Sequence, residues 1–310
     1  KQDRLGEAEE KYLEVLRISV AEEESAGVMV ANVSRRLGGI YSLQGKLDDA
    51  LGMQKRAHRV FRRVYGDEHV DVAGALNSMG TVYTKKGQLD RAMAKYEKAR
   101  EMFCRVVGED HLEVAAVLSN MAKVLADQGK GAEAIAMMEK VLDIERRTAG
   151  SDSDEVANAL LNLGSSHAGQ GMLEEALGKY EEGLGIVRRN HPERNATEAK
   201  ILVNMGRVYS RQEKHEDALA MYNKAYRIQR KTTGLETADV ARTLLNTGNV
   251  LGHQGKFEAA MDKCSEALAI YRRVVGDEHP EVAATLYSMA LCKHDLGDVE
   301  GAIACLREAQ

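Results

Sequence analysis

The 310-residue sequence has no tryptophan, three phenylalanines and two prolines. Because proline breaks helices, its scarcity permits a chain that is helical nearly throughout. Cysteine is also scarce and forms no CxxC pair: the four residues are Cys104, Cys264, Cys292 and Cys305. We expect them to be small core or surface residues in a reduced intracellular compartment, and therefore predict a cytoplasmic protein.

A strong charge of one sign and a long apolar run are missing as well. The net charge is −5, and no apolar run approaches the roughly 18 residues that cross a bilayer. These absences argue against nucleic acid and a membrane as partners. No charged-then-apolar leader is visible at Lys1, so we expect no signal peptide. No polar capping helix closes either end, so we expect a longer native chain or a partner over the ends.

What the sequence does contain is a repeat of 42 residues. An alanine stands five residues after each turn residue, and a glycine or alanine stands seven residues before it. One fixed period along a chain is typical of a solenoid of stacked helical hairpins. The turn residues are Gly45, Gly87, Gly129, Gly171, Glu213, Gly255 and Gly297.

The glycine column predicts close packing of helices. A glycine inside a helix costs about 1 kcal/mol relative to alanine, so its recurrence implies that another helix passes too close for a larger side chain. The column holds Gly38, Gly80, Ala122, Gly164, Gly206, Gly248 and Ala290. Another set of glycines is predicted to end the second helices: Gly66, Gly108, Gly150, Gly234 and Gly276.

The repeated pattern resembles the tetratricopeptide repeat; it consists of Leu76, Met79, Gly80, Tyr83, Gly87, Ala92, Tyr96 and Ala99. The connecting segments 66–73 and 276–283 are similar to the 42-residue repeats of kinesin light chains. The resemblance implies an all-α fold, a right-handed α-solenoid (superhelix) of tetratricopeptide hairpins. It implies one solenoid domain over 1–310, with a partial first unit at 1–24 and repeats at 25–66, 67–108, 109–150, 151–192, 193–234, 235–276 and 277–310.

The resemblance also implies that the first helix of each hairpin lines a concave, partner-binding groove. One groove position holds asparagine in four successive repeats, and a carboxamide can pair with both groups of an extended peptide backbone. Asparagines that bond the neighbouring helix would recur in the same way. The transferred groove residues are Asn77, Asn120, Asn162, Asn204, Asn246, Asn249, Arg35, Arg36, Lys85, Lys123, Lys200, Arg207, Arg211 and Arg242.

Charge at these groove positions is one-sided, because the eight basic residues are accompanied by only Asp127 and Asp295. This excess predicts an extended, acidic partner segment whose attraction weakens as salt rises. For each basic residue, pairing with an acidic residue of the adjacent second helix is the alternative. A chaperone-type receptor for a C-terminal carboxylate is disfavoured, since the place of its first lysine holds Arg35, Asn77, Ser119, Leu161, Val203, Leu245 and Tyr287.

Motifs for catalysis, cofactors or metals are not recognisable. His69, His111 and His279 share one column, but successive repeats are about 16–20 Å apart, too far to share a metal ion. We expect these histidines at the starts of helices. Without a phosphate loop, nucleophile elbow or HExxH motif, we predict a non-catalytic scaffold or adaptor with no cofactor and no small-molecule substrate. The alternatives are a structural subunit of a large assembly and the sensor region of a longer signalling enzyme or NTPase.

Overall fold

A computed structural model of the protein describes residues 6–14, 27–193 and 195–310. These residues form helices joined by short turns, with no strand among them. Most of the predicted partial first unit, 1–24, lies outside the described residues. The helices are α1 (6–14), α2 (Gly27–Leu43), α3 (Leu47–Tyr65), α4 (Val70–Lys85), α5 (Leu89–Val107), α6 (Leu112–Asp127), α7 (Gly131–Ala149), α8 (Asp154–Gly169), α9 (Leu173–Asn190), α10 (Ala196–Arg211), α11 (His215–Thr232), α12 (Ala238–His253), α13 (Phe257–Val275), α14 (Pro280–Asp295) and α15 (Val299–Glu308).

The helices fall into two compact units, unit 1 from Lys1 to Ser151 and unit 2 from Asp152 to Gln310. From α2 onward, even-numbered helices are the first helices of hairpins and odd-numbered helices are the second. Each first helix packs along its second helix. This pairing is the all-α hairpin architecture that the sequence predicts.

The turn inside each hairpin requires a left-handed backbone, and the residue predicted from the 42-residue spacing adopts it in every case. Gly87, for example, has φ 71°, and Glu213 has φ 60° although it carries a side chain. Glycine accepts this conformation freely, whereas another residue is strained by roughly 1–2 kcal/mol. Glu213 is therefore a local departure that the surrounding hairpin maintains.

The ends of the helices follow the predicted signals with one exception. The Nδ1 atoms of His69, His111 and His279 each accept a hydrogen bond of 3.2 Å from a backbone N–H in the first turn. These histidines therefore cap first helices, which confirms their expected place. Glycines cap the second helices α3, α5, α7 and α13 as predicted. In α11 the cap is Thr233, one residue before Gly234.

Aromatic side chains explain the glycine column. An ideal Cβ on Gly80 would lie 2.5 Å from the Tyr96 ring, and one on Gly206 would lie 2.6 Å from the Tyr222 ring. Gly164 and Tyr180 form the same crossing. A real Cβ cannot approach so closely, so the tyrosine of the second helix requires glycine in the first. The predicted close approach of the helices is confirmed.

Candidate partner-binding face

The first helices lie side by side in both units. In unit 1, α2 contacts α4 and α4 contacts α6, while in unit 2 the same holds for α8, α10, α12 and α14. Consecutive second helices within a unit have no comparable contact in the part of the chain that is described. Because the first helices are closer together, they lie on the inner side of each unit's stack. We call their solvent-facing surfaces the inner face of unit 1 and the inner face of unit 2.

Hydrogen bonds in unit 1 join adjacent first helices across the inner face. Lys85 Nζ donates to the carbonyl oxygen of Ser42 at the end of α2, at 2.9 Å. Asn120 Nδ2 donates to Asn77 Oδ1 at 2.9 Å, so two predicted groove residues bind each other. For this pair the structure supports the alternative in which an asparagine bonds the neighbouring helix.

Other basic residues of this face retain a free charge. Arg36 and Lys123 are exposed and form no hydrogen bond or ion pair with the described residues of the protein. Arg35 is half-buried, and its nearest polar partner is Asn32 Oδ1 at 3.4 Å on the same helix. None of the three is neutralised by a carboxylate among the described residues.

The asparagines of unit 2 share the column of Asn120 but have different partners. Asn162 is exposed, and Asn204 Nδ2 reaches only Ser165 Oγ at 3.5 Å. Asn246 Nδ2 is buried and has no hydrogen-bond acceptor among the described residues.

Register explains this difference. The place that Asn77 takes beside Asn120 holds Leu161 for Asn204 and Val203 for Asn246. Neither aliphatic side chain can accept a hydrogen bond. Asn204 and Asn246 therefore lack the bond to the preceding first helix that joins Asn120 to Asn77.

Basic residues complete the inner face of unit 2. Lys200 and Arg207 lie on α10 on either side of Asn204, and both are exposed without an ion pair to the described residues. Arg211 donates to the carbonyl oxygen of Ala168 at the end of α8. Asn249 is exposed. Burial raises the pKa of Tyr222, and the positive charge of Arg207 partly opposes that shift.

Among the described residues, no carboxylate of a second helix pairs with the basic residues predicted to lie in the groove. Arg242 does form an ion pair of 2.6 Å, but its partner Asp239 is on the same helix, three residues before it. Lys85 and Arg211 bond backbone carbonyls rather than carboxylates. The alternative that acidic residues of second helices neutralise the basic groups therefore finds no support among these residues.

One feature of the inner face was missed by the sequence prediction. A pocket of about 570 Å³ opens in unit 1 between α1, α2 and α4, above Gln54 of α3. Its signals are two departures from the repeat. Gln54 stands where three other hairpins hold Tyr96, Tyr180 and Tyr222, and Gly39 stands where the other hairpins hold longer side chains.

Among the described residues, no group of three or more His, Cys, Asp or Glu side chains is arranged to hold a metal ion. All four cysteines are free thiols. Burial raises the pKa of the Cys264 thiol to about 12, so this sulfur is a poor nucleophile.

None of the described helices is both long and apolar enough to cross a membrane.

Stacked hairpins with an exposed, polar inner face define an α-helical repeat scaffold of the class that binds other proteins. The chain belongs to the tetratricopeptide repeat family, whose family model matches residues 29–105, 113–189, 155–231, 197–263 and 239–310. Members of this family act as protein-interaction modules, which is the general function that the sequence predicts. No curated protein matches the chain in sequence.

Solved structures share the fold at low sequence identity. The quorum sensor NprR from B. thuringiensis, in its apo form, is 18% identical with a TM-score of 0.73, covering 99% of this chain and 82% of its own. BtubC (BKLC) from P. vanneervenii is 23% identical with a TM-score of 0.63, covering 71% and 89%. A putative kinesin light chain from Podosopora anserina with nearly identical TPR-like repeats is 17% identical with a TM-score of 0.56, covering 65% and 95%. The predicted kinesin-light-chain-like repeat is confirmed.

Proposed function

We propose that the protein is a non-catalytic adaptor whose inner faces bind an extended, acidic segment of a partner protein. The observation that carries this proposal is the set of unpaired polar groups on α10 and α12 of unit 2. Lys200 and Arg207 supply exposed charge, and Asn246 supplies a buried amide without a partner. Such groups suit a guest that carries both carboxylates and backbone carbonyls.

The unpaired amide of Asn246 favours a backbone ligand. A buried donor without an acceptor costs about 1–3 kcal/mol, and turning the half-buried Asn246 side chain outward to a carbonyl oxygen of a bound segment would remove that cost. Extended segments present such carbonyls at regular intervals whatever their side chains. The carboxamides therefore provide binding that tolerates many sequences, and Asn162 offers a second such group on α8 of the same unit.

The unpaired cations add selectivity for charge. The whole chain carries −5, so the positive inner face stands out against an acidic background. Opposite charge on a partner would accelerate encounter and orient the segment, and this effect weakens when salt shortens the screening length to about 8 Å. Acidic segments are accordingly preferred over neutral ones.

Charge reversal on α10 tests the proposal. The wild-type chain is first used to capture partner proteins at low salt, and their acidic segments are synthesised as peptides. The affinity of each peptide is then measured for the wild-type chain and for the variant Lys200→Glu/Arg207→Glu. We expect at least about tenfold weaker binding and a smaller salt dependence. The matched control is Lys224→Glu/Arg227→Glu, which reverses two exposed charges on the second helix of the same hairpin.

The two variants also separate the adaptor from the structural-subunit alternative. Unchanged affinity in the α10 variant would contradict binding at the inner face. Loss of capture only in the α11 control would instead favour a partner on the second helices, as expected for a subunit packed along its length in an assembly.

A further inference from the structure

The first hairpin of unit 1 contains a pocket that the repeat pattern does not account for. Its volume is about 570 Å³, and Ile40 and Val82 form part of its apolar wall. Both side chains are buried, so the wall is a fixed part of the core. Tyr12 of α1 lies on the opposite side of the opening.

The pocket exists because two side chains are shorter than their equivalents. At the crossing of α2 and α3, Gln54 replaces the tyrosine that fills this space in hairpins α4–α5, α8–α9 and α10–α11. Directly after Gly38 in the chain, Gly39 has no side chain, and nothing lies within 4 Å of an added Cβ. The first hairpin therefore has less side-chain volume at this place than the other three.

Positive charge surrounds this space. Arg35, Arg36 and Lys85 line it, and no carboxylate does so among the described lining residues. Lys85 is held in place by its bond to the Ser42 carbonyl, which leaves its charge uncompensated. An anionic group entering the pocket would meet three cations, of which Arg35 is half-buried, and could form charge-assisted hydrogen bonds with them.

An unsatisfied acceptor lies at the bottom of the pocket. Gln54 is 3% exposed. Its Nε2 donates to the carbonyl oxygen of Arg35 at 3.0 Å, while its Oε1 is buried without a donor. An occupant that brings an N–H or O–H group as well as a negative charge would match both the cations and this acceptor. A phosphomonoester dianion brings charge without a donor on the phosphate group, whereas an acidic amino-acid residue has a carboxylate, apolar methylene groups and a backbone N–H.

We propose that this pocket binds one aspartate or glutamate residue of the partner segment. The carboxylate lies against Arg35 and Arg36, and an N–H of the same residue donates to Gln54 Oε1. This inference rests on the proposed function, since it names one anchoring point of the acidic segment. It adds Gln54 and Gly39 as residues that create the site.

The test uses the full chain with labelled Ile and Val methyl groups and two small probes. N-acetylglutamate methylamide should shift the Ile40 and Val82 resonances with a dissociation constant on the order of millimolar, as expected for a ligand of this size. N-acetylglutamine methylamide, which is neutral, should bind at least about tenfold more weakly. The Ile201 methyl groups in the core of unit 2 serve as the internal reference.

The decisive variant is Gln54→Tyr, which fills the pocket as the tyrosine crossings do and faces Gly38 as those tyrosines face their glycines. It should remain folded and lose the glutamate-dependent shifts. Arg36→Gln should weaken binding of the glutamate probe without closing the pocket. Equal shifts from both probes, or undiminished binding by Gln54→Tyr, would overturn the inference.

The probe experiment fails or succeeds independently of the α10 variants. If the probe does not bind the pocket but Lys200→Glu/Arg207→Glu weakens the partner, only the pocket assignment falls. If the probe binds but the α10 variant leaves the partner unaffected, the proposed function falls.

Discussion

Two neighbouring hairpins of unit 1 have different side chains where their first and second helices cross. In α4–α5, Tyr96 lies over Gly80, and its hydroxyl group is within 3.3 Å of Thr81 Oγ1 and Thr84 Oγ1. In α2–α3, Gln54 lies beside Gly38, and its amide oxygen has no partner. The pocket of the first hairpin therefore goes with two changes, Gln54 on the second helix in place of tyrosine and Gly39 on the first helix in place of Thr81.

The largest expected effect comes from replacing the tyrosine at the α4–α5 crossing by the glutamine found at the α2–α3 crossing. Tyr96→Gln removes a fully buried aromatic ring and should lower the free energy of unfolding by about 2–4 kcal/mol. Urea unfolding followed by circular dichroism measures the change. An unchanged urea midpoint would contradict the claim that the tyrosine stabilises this hairpin.

The next effect tests the glycine side of the crossing. Gly80→Ala places a Cβ against the Tyr96 ring and should cost a net 1–2 kcal/mol, roughly, because overpacking exceeds the gain in helix propensity. Adding Tyr96→Met imitates the natural pair Ala122 and Met138, and should reduce the cost of the alanine. A double-mutant cycle measures this coupling, and strict additivity of the two changes would argue against a steric crossing.

A smaller effect on stability is expected at Glu213, which takes the place of the turn glycine in the α10–α11 hairpin. Glu213→Gly relieves the left-handed strain of the α10–α11 turn and should stabilise the protein by about 0.5–1 kcal/mol after the entropic cost of glycine. The converse change, Gly171→Glu in the α8–α9 turn, should destabilise by a similar amount. If both changes lower stability, Glu213 makes a contribution beyond the turn.

The smallest effect is a dependence of stability on pH that comes from hairpin α2–α3, the hairpin with the pocket. Burial, together with the charges of Arg62 and Lys95, lowers the pKa of His58 on α3. Hairpin α4–α5 has Arg100 in the corresponding place. The folded state therefore binds this proton less readily than the unfolded state. Stability should be complete above about pH 6.5 and decline as pH falls from there toward the lowered pKa. His58→Gln should flatten this part of the thermal-unfolding profile, and an equally steep profile in the variant would contradict the assignment.

A structural feature could be predicted from the sequence where the residues that form it recur at the same place in successive 42-residue repeats. The turn residues and the glycine crossings were predictable because each repeats the same steric requirement every 42 residues. The pocket was not, since it depends on Gln54 and Gly39 breaking their columns together. The asparagine column was only half-predictable. Asn120 finds Asn77, but Asn246 does not find a partner, because each amide depends on a residue in the preceding repeat.

The most direct measurement is photo-crosslinking from the inner face of unit 2. A photoreactive residue is placed at Arg207, or at Arg227 on the second helix of the same hairpin as the matched control, and the crosslinked peptides are sequenced by mass spectrometry. Our account predicts that position 207 captures segments rich in Asp and Glu, that position 227 captures few of them, and that added salt lowers the yield at 207. Crosslinks predominantly from position 227, or segments at 207 without an acidic excess, would contradict it.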